Sequence, residues 1–244
     1  MLMLTASDSA SPLQGQEAGE VTMLSRSAPP MKIEVQEVGP FAMNAMIVYD
    51  EKTKRGFLLD PGDEIPLLLD RVKKLEVAVE AIVFTHGHID HVAYAENARK
   101  ALKVPTYLHK DDWEMARMAP QQAMMFGIPP GPVPTIDHEL PGEGSFEVAG
   151  LSFDVRHTPG HSPGSVTLIS HIGKLAIVGD VVFAGSVGRT DLPGCSHQAL
   201  NESIERVILP LPDDYLLYPG HGPRTTVGQE RVSNPYLRDL KPKP

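Results

Sequence analysis

Thr85-His86-Gly87-His88-Ile89-Asp90-His91 puts four side chains able to ligate a metal within six residues. The stretch directly follows Ala81-Ile82-Val83-Phe84, a short apolar run of the kind that forms a buried strand. Residues two apart do not share a helix face, so a helix could not aim His86 and His88 at one point; a loop leaving a strand can. Imidazole combined with carboxylate suits zinc, iron or manganese better than magnesium or calcium. A lone His-X-His is more often a solvated polar loop. With Asp90 and His91 added at this spacing, the metal reading prevails.

Three further segments repeat the arrangement. Phe153-Asp154-Val155-Arg156 leads to Thr158-Pro159-Gly160-His161, Leu175-Ala176-Ile177-Val178 to Gly179-Asp180, and Leu216-Leu217-Tyr218 to Pro219-Gly220-His221. Each time a hydrophobic strand ends, a glycine lets the chain turn, and a metal-capable side chain follows. Open α/β sheets carry their sites at the carboxyl ends of strands. Any one of the three alone reads as a turn; their joint occurrence with the first motif makes the case.

Working outward, strands are expected near residues 32–36, 45–49, 56–59, 81–84, 105–108, 146–157, 165–170, 174–179 and 215–218. Asp60-Pro61-Gly62 stops the third. Helical spacing is read over residues 64–75, 91–102 and about 197–209, the last capped by Ser196. Residues 119–145, with Pro129-Pro130-Gly131-Pro132, read as a long substrate-facing loop. Met115, Met118, Met124 and Met125 read as core gap-fillers, the alternative being the lining of an apolar pocket. Alternating strands and helices in both halves indicate an α/β protein. Residues 1–30, rich in Ser, Ala and Gly, read as an extension outside the core, or a leader, with the domain spanning residues 31–244.

Composition narrows the function classes. The 244 residues, 41% hydrophobic, suffice for a sizeable core. A formal charge of −9 disfavours a broad nucleic-acid footprint. No apolar run is long enough to cross a bilayer, so no membrane partner is expected. The single cysteine, Cys195, cannot close an intrachain disulfide and is read as incidental. With no basic and apolar leader at the N-terminus, a cytoplasmic location is expected. Of the ten histidines, His109, His138, His157, His171 and His197 lack a partner pattern and are read as surface or structural residues.

His86, His88, Asp90, His91, His161, Asp180 and His221, in this order, resemble the metallo-β-lactamase superfamily over residues 31–240. The resemblance implies a four-layered αββα sandwich with the site at one edge. It implies one metal held by His86, His88 and His161 and a second by Asp90, His91 and His221, with Asp180 bridging them. Asp60 would steady a ligand from behind, besides starting its turn. Gly179-Asp180-Val181-Val182-Phe183-Ala184-Gly185-Ser186-Val187-Gly188-Arg189-Thr190-Asp191 is similar to the glyoxalase II-like branch. So is Pro219-Gly220-His221-Gly222-Pro223-Arg224-Thr225-Thr226 with Glu230-Arg231 and Asn234-Pro235. The likeness is to the short, single-domain members. Full-length glyoxalase II adds a C-terminal helical segment and a glutathione-binding lysine after the bridging Asp; this chain ends at Pro244 and carries Arg189 in that loop.

The expected function is therefore hydrolysis by a metal-bridging hydroxide, with a hydroxyacylglutathione-like thioester as the small-molecule substrate. The two ions are expected to be zinc, with iron or manganese as alternatives, and Asp90 orients the nucleophile. Arg189 is expected either to pair with a substrate carboxylate or to form an internal ion pair with Asp191. Rival readings are an oxidoreductase resembling persulfide dioxygenases, which share the Gly-Arg-Thr-Asp stretch and use one iron, a lactonase, and a metal-stabilised binding module. The oligomeric state is left open.

Overall fold

The computed structural model describes residues 31–243; the extension expected over residues 1–30 lies outside the described residues. Two six-stranded sheets carry the architecture. The first runs in chain order through β1 (Met31–Val38), β2 (Met43–Asp50), β3 (Arg55–Leu59), β4 (Ala78–Val83), β5 (Thr106–Leu108) and β6 (His138–Glu139). Its first three strands are antiparallel, and β3 to β6 are parallel. The second contains β7 (Glu143–Val148), β8 (Leu151–His157), β9 (Val166–Ser170) and β10 (Leu175–Gly179). After a small ribbon of β11 (Val182–Phe183) and β12 (Ser186–Val187), it is completed by β13 (Leu216–Pro219) and β14 (Thr225–Thr226), in the order β14-β13-β10-β9-β8-β7.

Parity along the strands explains why the sheets stack. In β2, Ala45, Ile47 and Tyr49 join one buried cluster while Met46 and Val48 join another. In β10, Leu175 and Ile177 face the second cluster while Ala176 and Val178 face a third. Successive side chains point to opposite faces, so strands apolar at every position must be covered on both sides. Between the sheets lie Phe57, Leu59, Val83, Phe153, Val155 and Leu168. The outer face of the first sheet is covered by α1 (Ile65–Leu75), α2 (Ile89–Val92) and α3 (Ala95–Leu102). That of the second is covered by α6 (His197–Ser203), which runs on through a wider turn at residues 204–208. The layers are helix, sheet, sheet, helix. Among the described residues no helix is long and apolar enough to cross a membrane.

The sequence reading needs correction in four places. The helix expected over residues 91–102 is two helices, broken at Tyr94, whose N–H donates to Gly62 O at 3.0 Å instead of continuing the helix. The loop expected over residues 119–145 contains α5 (Ala119–Met125), preceded by α4 (Trp113–Arg117), and β6. The run over residues 146–157 is a hairpin, reversed at Ala149 and Gly150 with φ of 53° and 78°. Met118, Met124 and Met125 are exposed rather than core. Ser196 does cap α6, its side chain accepting from Ala199 N. The chain closes with α7 (Val227–Ser233).

Phe153 and Phe57 meet edge-on between the sheets, ring centroids 5.7 Å apart. Truncation there leaves a cavity that rigid sheets cannot close. Phe153→Ala is expected to cost about 3–5 kcal/mol, whereas Leu67→Ala on the exposed face of α1 changes stability by under about 0.5 kcal/mol. Urea unfolding of both variants checks the pair.

Candidate metal centre

All four ligand-bearing segments leave the carboxyl ends of strands on one edge of the sandwich. β10 runs parallel to β13, so the loops after these two strands start at equivalent ends, and Val166 N at the start of β9 donates to Thr85 O just after β4 at 3.0 Å, which brings the loop after β8 to the end of β4. After β4 the chain stays extended through His88, with ψ of 152°, and then enters α2, whose first turn carries Asp90 and His91. His161 lies on the loop from β8 to β9, Asp180 follows β10, and His221 follows β13. Gly179 turns the chain into Asp180 with φ of 49°. Gly220 is required for a different reason: a Cβ there would stand 2.2 Å from Asp180 Oδ1.

These seven side chains converge. Ligand atoms of His86, His88 and His161 lie within 4.8 Å of one another, as do those of Asp90, His91 and His221, and those of His86, His91 and Asp180. Asp180 stands between the first two groups: its carboxylate is 3.3 Å from His161 Nε2, 3.4 Å from His221 Nε2 and 3.5 Å from His91 Nε2. Asp90 Oδ2 lies 3.0 Å from His221 Nε2.

The outward nitrogens fix the rings. His161 Nδ1 donates to Arg189 O at 2.9 Å, and His221 Nδ1 to Phe41 O at 3.1 Å. His86 Nδ1 meets Thr85 Oγ1 at 3.1 Å, and that hydroxyl donates to Asp60 Oδ2 at 2.7 Å. His91 Nδ1 lies 2.9 Å from the same Asp60 oxygen, a charge contact whose alignment falls short of a hydrogen bond. With Nδ1 engaged, each of these four rings turns Nε2 inward. His88 is the exception, presenting Nδ1 to His161 Nε2 at 2.8 Å. Asp60 itself sits at φ of 50°, its N–H held by Val83 O and its carboxylate receiving Thr85 N.

Charge and burial within the cluster are matched to a cation. Burial, and then the neighbouring His91, hold His86 well below the usual imidazole range. Burial and then His161 lower His88 to about 4. Both rings are thus neutral, with free lone pairs. Burial also opposes charge on His91, yet Asp90, Asp60 and Asp180 together hold its pKa well above normal. His221 is likewise pushed up to about 10 by Asp180 and Asp90 against the effect of burial. The carboxylates therefore call for positive charge at the inner nitrogens. Meanwhile His86 Nε2, His91 Nε2 and Asp180 Oδ1 are buried with no hydrogen-bond partner. Buried polar atoms are rarely left so, and a transition-metal ion is the group this nitrogen and oxygen set fits.

Asp112, which the sequence reading passed over, is fully buried behind the centre. Its Oδ2 accepts from Gly87 N at 2.8 Å and Ser162 Oγ at 2.6 Å, and its Oδ1 from Gly164 N at 2.6 Å. One carboxylate thus clamps the loop of His86 and His88 to that of His161. The only sequence signal was an acidic residue soon after a strand. Arg189 reaches the centre through its carbonyl; its guanidinium forms a two-pronged pair with Asp191 at 2.7 and 2.8 Å, with which a substrate carboxylate would compete. Cys195 Sγ donates to His161 O. His109 and His157 stack on each other 4.5 Å apart, near Asp111. His138 lies against Tyr107, His171 against Tyr215 and His197 beside Asn201, apart from the seven.

Comparison with known proteins gives the family. The family model described as the metallo-beta-lactamase superfamily matches residues 38–221. The hydroxyacylglutathione hydrolase GloC of Haemophilus influenzae is 37% identical over 214 residues, covering 85% of this chain and 98% of that protein. The crystal structure of the BLEG-1 B3 metallo-beta-lactamase superposes with a TM-score of 0.80 at 36% identity, over 85% of this chain and 100% of that one. TTHA1623, solved in a di-iron-bound form, gives 0.76 at 38% identity, over 84% and 100%. Four layers, one ligand-bearing edge and a model match across most of the described residues lead to one assignment: the chain belongs to the metallo-beta-lactamase superfamily.

Proposed function

We propose that the protein is a thioester hydrolase of the hydroxyacylglutathione type, working with two divalent transition-metal ions. The observation that carries the reading is the convergence of five imidazoles and two carboxylates whose inner atoms include buried, unpartnered acceptors. GloC, at 37% identity over almost its full length, supports the substrate class. His86, His88 and His161 would hold one ion and Asp90, His91 and His221 the other, with Asp180 between them. Bound there, such ions supply Lewis acidity and a water acidified to a pKa of roughly 7.

The chain's own groups do the rest. Asp90 is the more exposed of the two inner carboxylates, 17% against 7% for Asp180. It would accept a hydrogen bond from the attacking water and fix its direction. Water adds to the thioester carbon, the carbon–sulfur bond breaks, and the products are a carboxylate and a thiol. A thiolate departs without prior protonation, so no dedicated general acid is needed. Asp60 and Asp112 act at one remove, Asp60 by steadying His86 and His91 through Thr85 and direct charge, Asp112 by fixing the two histidine loops.

Three results test the proposal. Elemental analysis of protein purified without chelator should give up to two ions per chain, with hydrolysis of acylglutathione thioesters. The BLEG-1 relative makes a β-lactam the comparison substrate. Less than half an equivalent after reloading with zinc, iron or manganese would rule the reading out, and a single iron with persulfide oxidation would replace it by the oxidoreductase.

Asp90→Asn should keep the fold and the ion held by His86, His88 and His161. It should lower turnover by about 100-fold to several thousand-fold, or about 3–5 kcal/mol in the barrier. Turnover within a few-fold of the parent would exclude a water-orienting role.

Asp112→Asn removes one of the two acceptor oxygens on which three donors converge. Metal retention should fall roughly 10- to 100-fold, measured by chelator competition on folded protein. Unchanged retention would leave Asp112 a purely structural residue.

A further inference from the structure

Asn44 is a polar residue in the apolar strand β2, on the face that carries Met46 and Val48 into the space between the sheets. It is buried, and burying an amide costs free energy unless it is hydrogen-bonded. Its partners all lie on the loop of His221. Asn44 Nδ2 donates to Pro219 O at 3.0 Å and to Gly222 O at 2.7 Å, and Asn44 N donates to Gly220 O at 2.7 Å. The neighbouring Met43 pairs with His221 as an isolated antiparallel bridge, and Phe41 O, in the turn between β1 and β2, accepts from the ring's Nδ1. His221 needs this support more than its partners do. Its side chain is 27% exposed, against 17% for Asp90 and 0% for His91. Asp90 and His91 are set in the first turn of α2, whereas His221 lies between two glycines, Gly220 and Gly222, the second at φ of 72° with open space where a Cβ would stand. Glycine gives such a loop many conformations; the contacts from β2 select one.

We infer that Asn44 is a positioning residue: by holding the carbonyls on both sides of His221 it sets the occupancy of the ion site formed by Asp90, His91 and His221, while its amide bonds only to backbone. The inference rests on the two-ion reading above and extends it to what governs the second ion. Orientation of a ligand from outside the ligand set is worth about 10- to 100-fold in metal affinity. The effect is confined to one site, because the other takes its orientation elsewhere. His86 is held by Thr85, His161 by Arg189 O, and the loops of both by Asp112.

The test is calorimetric zinc titration of the full chain, with chelator competition for the tighter step, on the parent, Asn44→Leu, Asn44→Ala and the reference His221→Ala. The reference identifies the zinc step that depends on His221. Asn44→Leu keeps the side-chain volume and removes the amide donor. It should weaken that same step about 10- to 100-fold and shift the other by less than about twofold. Asn44→Ala should do the same and serves where leucine disturbs the packing between the sheets; thermal melting of the zinc-free proteins verifies the fold. Equal weakening of both steps would give Asn44 a general structural role, and an unchanged His221-dependent step would give it none; either overturns the inference while the two-ion reading stands. A parent that takes up one zinc only, or a His221→Ala variant that keeps both steps, overturns the second site and the inference with it. Selective weakening in the Asn44 variants, with no thioester turnover by the zinc-loaded parent, would uphold Asn44 and sink the hydrolase reading.

Discussion

Burying unpaired lone pairs is the constraint around which this molecule is built. His86 and His91 are inaccessible to solvent and Asp180 nearly so, yet their inner atoms face one another rather than donors. A polypeptide gains nothing from such an arrangement by itself, since each unsatisfied buried polar atom costs about 1–3 kcal/mol. The cluster is tolerable only because the remaining atoms of the same side chains are held firmly and because a cation answers the inner ones. The opposite pulls on the histidines record this demand. Burial and neighbouring imidazoles hold His86 and His88 below the usual imidazole range. His91 and His221, against Asp90 and Asp180, are drawn toward carrying charge.

The sheets bring the ligand loops to one edge, but polar side chains bonded to backbone lock those loops together. Asp112 joins Gly87 to Ser162 and Gly164. Asn44 donates to Pro219 O and Gly222 O on either side of His221. Glu230 accepts from Gly185 N, Thr225 Oγ1 and Asn234 Nδ2, tying the ribbon after Asp180 to α7. Each of these residues is buried, and each binds groups that would otherwise lack partners. The apolar layers set the loops within reach; these fixed contacts set ring directions, on which ligation depends.

What could be read from sequence divides along the same line. The strands at residues 45–49 and 174–179 were legible as short apolar runs and the four layers through the resemblance that the ligand order carries, and His86 to His91 because four metal-capable side chains crowd into one loop. His161, Asp180 and His221 were legible only jointly. The break at Tyr94 was not, because its cause is Gly62 O, brought in from a different loop. Helix α5 was hidden by Pro120 and by a buried face of only small residues, Ala119 and Ala123, which leaves little helical periodicity. Asp112 was invisible because its partners lie 25 to 52 residues away. Its meaning exists only once β5 and the loop after β8 are adjacent.

The same distinction separates the parts of this fold that are committed to the centre from those that are not. The seven converging residues and their backing are committed to geometry and leave little room for change. The α4–α5 insert is anchored through small residues, Ala116 and Ala119 in the core of the first sheet's outer face and Ala123 on α2, while Met118, Met124, Met125 and Phe126 face outward. Phe41 couples the two regions, since its carbonyl steadies His221 while its ring supports Phe126. Charge interactions strengthen as water leaves, so any substrate group that displaces water from the Asp90 side sharpens the field that Asp90, His91 and His221 exert there, with the ligand set unchanged.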